Sequence, residues 1–227
     1  MPRELEPDYD ERVVVNADRL PYAPSSANGI WYKRLELAGD DESGGVTTIV
    51  RFDPGARCMD HDGTGGEELL VLDGELCDAR GCFAAGTYQL NPAGFRHARH
   101  APSGCLVFVK LGRYRGLSTL LIDSNSGTWI ERGPAGVRSL SLSGSATSGE
   151  YTRLTQLAPG TKVPRVDLPD GEELFVVRGS FSDEYGHYER HTWLRLPPGS
   201  HHSPKTDAGC LLYVKSGVFR APGLGVR

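Results

Sequence analysis

Residues Pro54–Gly74 read PGARCMDHDGTGGEELLVLDG, and the fold turns on this stretch. A Pro-Gly turn opens it, His61 follows in a loop rich in Asp and Gly, and Glu67-Glu68 leads into the apolar run Leu69–Leu72. Asp73-Gly74 then carries the signal of a tight hairpin. His61 and Glu67 lie six residues apart, so they can face one point only where the chain doubles back between them, which Gly63, Gly65 and Gly66 permit. Downstream, Asn91-Pro92-Ala93-Gly94-Phe95-Arg96-His97 supplies a second turn that delivers His97. The pattern predicts a small β-barrel holding a metal through His61, Glu67 and His97.

The rest of the chain agrees with an all-β reading. Short apolar runs are separated by many of the 29 Gly and 15 Pro, and no segment shows long helical periodicity. Strands are expected at Val13–Val15, Tyr32–Leu37, Val46–Phe52, Glu75–Asp78, Cys82–Ala84 and Thr87–Leu90. Phe95–Arg99 is expected to carry His97, and Cys105–Lys110 suits a strand buried on both sides. A net charge of -4 without a basic run excludes a nucleic-acid binder, and no run is long enough to span a membrane. The charged start Met1–Glu11 has no signal-peptide core, so a cytoplasmic protein is expected. Five cysteines, an odd number with no Cys-x-x-Cys, argue for reduced thiols rather than a disulfide framework or thiolate zinc site.

The pattern then repeats. A shift of 105 positions places Pro54-Gly55 on Pro159-Gly160, Glu67-Glu68-Leu69 on Glu172-Glu173-Leu174, and Gly74 on Gly179. It also places Pro92, Gly94 and His97 on Pro197, Gly199 and His202, and Gly104-Cys105-Leu106 on Gly209-Cys210-Leu211. Roughly a third of the positions from Thr47 to Gly112 match without a gap, so the chain is a duplication. Two domains are expected, residues 1–115 with the metal site and residues 116–227 with a degenerate one. The apolar Leu117–Ile122 in the join reads as a bridging strand or a short helix.

The spacing resembles the cupin family. Its first motif, G-x5-H-x-H-x3-4-E-x6-G, is matched by Gly55, His61, Glu67 and Gly74, and its second, G-x5-P-x-G-x2-H-x3-N, by Gly86, Pro92, Gly94 and His97. Gly65-Gly66-Glu67-Glu68 and Gly104-Cys105 with Lys110 are similar to the cupin domain of ChrR-type anti-sigma factors, over roughly residues 10–220. The resemblance implies two tandem double-stranded β-helix (jelly-roll) barrels, a bicupin. There are departures. The second histidine of the first motif falls on Gly63 and the final Asn of the second on Ala101. In the second copy the histidine positions are Val166 and Leu168, which leaves Glu172 and His202, with His201 nearby, and makes that barrel a structural partner.

Two imidazoles and one carboxylate suit a catalytic-type zinc with an open position or an Fe(II) facial triad. Nickel and manganese are the other divalent candidates. Asp62, His100 or the thiol of Cys58 could add a ligand; their plainer roles are solvated loop residues and a core thiol. The plain alternative for the main three is a surface histidine at 61, a turn carboxylate at 67 and a hydrogen-bonded strand histidine at 97. Glu68, next in its strand, is expected to point away from the site. Cys105 and Cys210, at equivalent positions, read as small core residues.

Three functions follow from the resemblance. The first is a regulatory, oxidant-sensing stress-response module. Residues 1–30 lack the His-x3-Cys-x2-Cys zinc domain that holds the sigma factor in ChrR-type proteins, so direct sigma-factor binding is not expected. The second is an Fe(II)-dependent dioxygenase-type enzyme acting on a small diketone-like substrate, with catalytic residues unassigned. The third is a non-catalytic module that binds a small molecule. Barrels of this type pair by sharing edge strands, so the pairing is either a homodimer or the tandem halves themselves.

Overall fold

The computed structural model describes residues 9–38, 45–62, 65–114, 116–144 and 149–217, with 38 and 59–62 described by backbone alone. Apart from one 3-10 turn at Ala17–Arg19, the described residues form strands and their connections. Among the described residues no helix is long and apolar enough to cross a membrane.

Two compact units result. In the first, the sheet runs Leu120–Asp123, Thr87–Asn91, Glu67–Asp78, Cys105–Leu111, Gly45–Phe52, Ile30–Ala38 and Ala23–Pro24, while Arg57–Asp62 pairs with Arg96–His100. The second repeats the order as Val13–Asn16, Thr192–Leu196, Glu172–Asp183, Cys210–Ser216, Tyr151–Leu157, Val137–Gly144 and Ile130–Glu131. Each unit thus covers one edge with a strand from outside the repeat. Leu120–Asp123 pairs with Thr87–Asn91 in the first, and Val13–Asn16 with Thr192–Leu196 in the second. The join segment is therefore a strand that completes the first unit, which as a compact unit extends to Gly127, and residues 9–18 belong to the second. An unpaired edge strand exposes a row of backbone donors and acceptors, and both edges are closed by the same device.

Glu67–Asp78 is the axis of the first barrel. Leu69, Val71 and Leu76 join a core with Ile30, Phe52, Val107 and Val109, and Leu70 on the reverse face is equally buried. Fully burying each such side chain contributes about 1.5–3 kcal/mol, so a strand buried on both faces anchors the unit. Phe108 and Lys110 bury the reverse face of Cys105–Leu111, where Lys110 donates to Thr47 at 2.9 Å. Pairing between these strands slips by one residue at Leu106/Val107, and the second unit repeats the slip at Val176/Arg178.

Asp73-Gly74 is not the expected hairpin turn. The strand continues through it to Asp78 and turns back only at 79–80. Gly74 has φ +72°, and a Cβ there would lie 2.3 Å from the carbonyl oxygen of Gly104. Gly179 repeats this, with φ +75° and 2.1 Å to Gly209. The glycine bends a continuous strand away from one partner and onto the next, which only a residue without a side chain allows here.

That hairpin also overturns the reading of five reduced thiols. Cys77 and Cys82 stand directly opposite each other in register and are joined by a disulfide, while Cys58, Cys105 and Cys210 remain thiols. The odd count hid a pair that a two-residue turn brings face to face.

Candidate functional site

The site is built by two strands that meet inside the first barrel. Arg96–His100 follows the turn closed by the Phe95 amide on the Pro92 carbonyl, and its alternation sends His97 and Arg99 inward. Both are 6 % exposed, and Ala101 continues the same buried row. Glu67 opens its strand on the same interior and is 3 % exposed, while Glu68 turns away and accepts a 2.8 Å hydrogen bond from the Tyr88 hydroxyl.

His97 and Glu67 are brought together, with Nε2 to Oε2 at 3.5 Å. The backbone register places His61 opposite His97. The side chains of His61 and Asp62 lie outside the described residues, as does Gly63. His100 stands opposite both Arg57 and Cys77, out of phase with His97.

Arg99 is the residue that motif reading missed. Its guanidinium grips Glu67 at two points, Nη1 to Oε2 at 2.9 Å and Nη2 to Oε1 at 2.5 Å. A two-point guanidinium–carboxylate pair is the strongest ion-pair geometry available to side chains. The sequence signal was the inward phase of Arg99, two residues from His97 in a strand.

A second arginine, Arg80, is exposed yet held on several sides. Arg80 is held by Asp78 at 2.7 Å and reaches the side-chain oxygens of Gln89 at 2.8 Å and Asn91 at 3.2 Å. Burial pushes the Asp78 carboxyl up, but Arg80, by hydrogen bonds and charge, outweighs it and holds the group below its ordinary range.

Beside Glu67 and Arg99 lies a cavity of about 630 Å³. Its walls are largely aliphatic, Ile30, Val50, Leu76, Val107 and Val109 among them, with Arg34, Tyr32 and Cys58 also in the lining. That volume is typical of small-molecule sites. Cys105, packed in the same core, is a poor nucleophile, because burial pushes its thiol up to about 12. Cys210 matches it at about 12, again through burial.

Do these residues fit a metal ion? Two ligands about 2.1 Å from one tetrahedral ion stand about 3.4 Å apart, close to the observed 3.5 Å between His97 and Glu67. Imidazole and carboxylate are suitable donors in kind. The donors fit, with Arg99 as the group that must share or release Glu67. Among the described residues the one cluster of three ligand-type side chains is Glu75, Cys77 and Cys82, whose sulfurs are already bonded to each other.

The second barrel lacks this arrangement. Glu172 is held by Arg153 at 3.0 Å and Ser216 at 2.8 Å, whereas His202 lies 3.6 Å from Asp183. Leu168 is buried in the core and Val166 packs against it, at the positions where the motif has histidines.

The ChrR cupin-like domain family matches the chain twice, over residues 10–115 and 117–220. A protein provisionally described as a dioxygenase from Nostoc punctiforme PCC 73102 is 14 % identical with a TM-score of 0.74, over 90 % of this chain and 82 % of that one. The bacterial pirin YhhW from Escherichia coli, in complex with nickel(II), is 13 % identical with a TM-score of 0.67, over 91 % and 98 %. Bacillus subtilis oxalate decarboxylase, with Mn(II) centres, is 11 % identical with a TM-score of 0.65, over 92 % and 78 %. These likenesses establish the fold. A search of the curated proteins finds no match.

Proposed function

The chain belongs to the ChrR cupin-like domain family, and on that premise we propose that it is a metal-binding regulatory module. Its first barrel responds to a small molecule or an oxidant, and its second barrel is the structural partner. The observation that carries this reading is the buried contact of His97 with Glu67 at 3.5 Å, beside a cavity of about 630 Å³.

His61, Glu67 and His97 would hold the ion, zinc or Fe(II) by donor type, with nickel or manganese as the other divalent choices. When bound, such an ion supplies Lewis acidity at an open coordination position. The protein's own residues do the rest. Among the described residues Glu67 provides the one carboxylate of the cavity lining, Arg99 holds it in place, and the aliphatic walls exclude water from whatever enters.

Elemental analysis of freshly purified protein tests the reading. It predicts a bound divalent ion that is lost in His97→Ala and in Glu67→Ala. No ion, and none taken up on reconstitution, would leave a ligand-binding module without metal, a reading favoured by the Glu67–Arg99 pair.

An enzyme of dioxygenase type is the second reading, favoured by the apolar cavity beside the donors. Oxygen consumption with a small diketone on the iron-loaded protein would support it. Ligand-induced binding of a protein partner without turnover would support regulation instead.

A further inference from the structure

We propose that the cavity of the first barrel takes a carboxylate attached to an apolar body, bound head-first on Arg99. This names the ligand class for the cavity on which the reading above relies, and it does not require the metal.

The argument starts from one atom. Arg99 is 6 % exposed and lines the cavity. Its Nη1 and Nη2 are spent on Glu67, but its Nε is buried and meets no acceptor among the described residues. A buried donor left without a partner is costly, and one on a charged group more so. The guanidinium fork has a second edge, and that edge asks for an oxygen acceptor.

Charge and shape choose among acceptors. Among the described residues of the lining, Arg99 presents a cationic donor whose Nε has no partner. A hydrogen bond from that donor to a carboxylate is charged on both sides and so stronger than one to a neutral oxygen, whereas an ammonium offers it no acceptor. A buried charge is tolerated only when paired and hydrogen-bonded, so a carboxylate suits the place that a neutral carbonyl would fill less well. The rest of the wall is aliphatic, contributed by strands whose inward residues include Ile30, Val50, Phe52, Val107 and Leu111. That wall gains by covering hydrocarbon and offers few partners to a sugar or a polyol. A nucleotide or dicarboxylate would place a second charge against those side chains.

The second unit shows the contrast. Leu168 is buried there and Val163 and Val166 pack on the same core, and the residue matching Arg99 is Pro204. The barrel that lacks the arginine also has apolar side chains where its twin has the motif histidine.

Calorimetric titration of the full-length protein with decanoate, 1-decanol and decylamine tests the proposal, run with EDTA and again after metal loading. Decanoate should bind at least about tenfold tighter than decanol, the increment expected for a charge-assisted hydrogen bond, and decylamine weakest. Because removing Arg99 alone would strand a buried carboxylate, the variant is the double Glu67→Met, Arg99→Met, which replaces the ion pair by residues of similar size. It should keep its thermal transition and bind decanol while losing the preference for decanoate. Equal binding of decanoate and decanol, no binding of either, or a preference that survives in the folded double variant would overturn the proposal. Carboxylate preference without a metal ion would sink only the metal reading, and a metal ion without that preference would sink only this one.

Discussion

The guanidinium of Arg99 and the carboxylate of Glu67 form a two-point ion pair inside the first barrel, both residues being more than nine-tenths buried. A divalent ion on Glu67 would stand close to that guanidinium, with a repulsion on the order of several kcal/mol at the effective dielectric of a protein site. On the proposed reading Arg99 is a resident cation that would weaken metal binding. Arg99→Gln should lower the stability of the protein in EDTA by roughly 3–5 kcal/mol, since it leaves a buried carboxylate unpaired. Zinc should then restore more of the melting temperature in the variant than it adds to the wild type. Equal responses to zinc in thermal melts would show that Arg99 and the ion do not compete.

The second barrel should contribute no metal. Glu172 is engaged by Arg153 and Ser216, and His202 lies against Asp183, so the two share no point. The double variant Glu172→Ala, His202→Ala should bind the same amount of metal per chain as the wild type, measured by elemental analysis. A fall to half or less would place a site there.

Much of this was legible in the sequence. The offset between Glu67 and Glu172, or His97 and His202, gave the duplication, because turn glycines and strand starts are fixed by backbone geometry that both copies share. The strand carrying His97 followed from its alternation, and the burial of Val107 and Phe108 on opposite faces from an unbroken apolar run. Other features needed coordinates. Asp73-Gly74 looks like a hairpin because positive φ is the shared requirement of such turns and of a strand that bends, and local sequence does not separate them. The grip of Arg99 on Glu67 joins residues 32 apart in sequence, a pairing that motif spacing does not encode. The edge strand Val13–Asn16 serves the unit farther from it in sequence, again a matter of topology.

Asp183 gives the second unit an acid-sensitive lock. Burial pushes its carboxyl up, but the His202 imidazole 3.6 Å away, hydrogen bonds from the Tyr185 amide and the Tyr188 hydroxyl, and the charge of Arg12 outweigh this and hold it down at about 2. Burial and then the bond to Asp183 push the Tyr188 hydroxyl up, so it stays protonated and donating. A carboxyl depressed in the folded state stabilises it above the unfolded value of 3.8, and that stability is lost as pH falls through 3.8 toward 2. The expected contribution at neutral pH is roughly 1–2 kcal/mol. Asp183→Asn should be less stable at pH 7 and show a flatter loss of stability between pH 5 and pH 2 (roughly the window set by linkage). Parallel wild-type and variant profiles in denaturant titrations would remove Asp183 from this role.

The Cys77–Cys82 bond makes a simple chemical prediction. Protein unfolded in guanidinium without reductant should show three titratable thiols, those of Cys58, Cys105 and Cys210, and five after reduction. Alkylation followed by mass spectrometry assigns them. Five thiols before reduction, in protein handled without reductant, would contradict the pairing across the hairpin.

The most direct measurement is the metal content of the purified full-length protein beside that of His97→Ala, with both shown to be folded by circular dichroism. The account predicts one divalent ion per chain in the wild type and none in the variant. An empty wild type that also refuses zinc and Fe(II), or an ion that stays when the imidazole at 97 is gone, would contradict it.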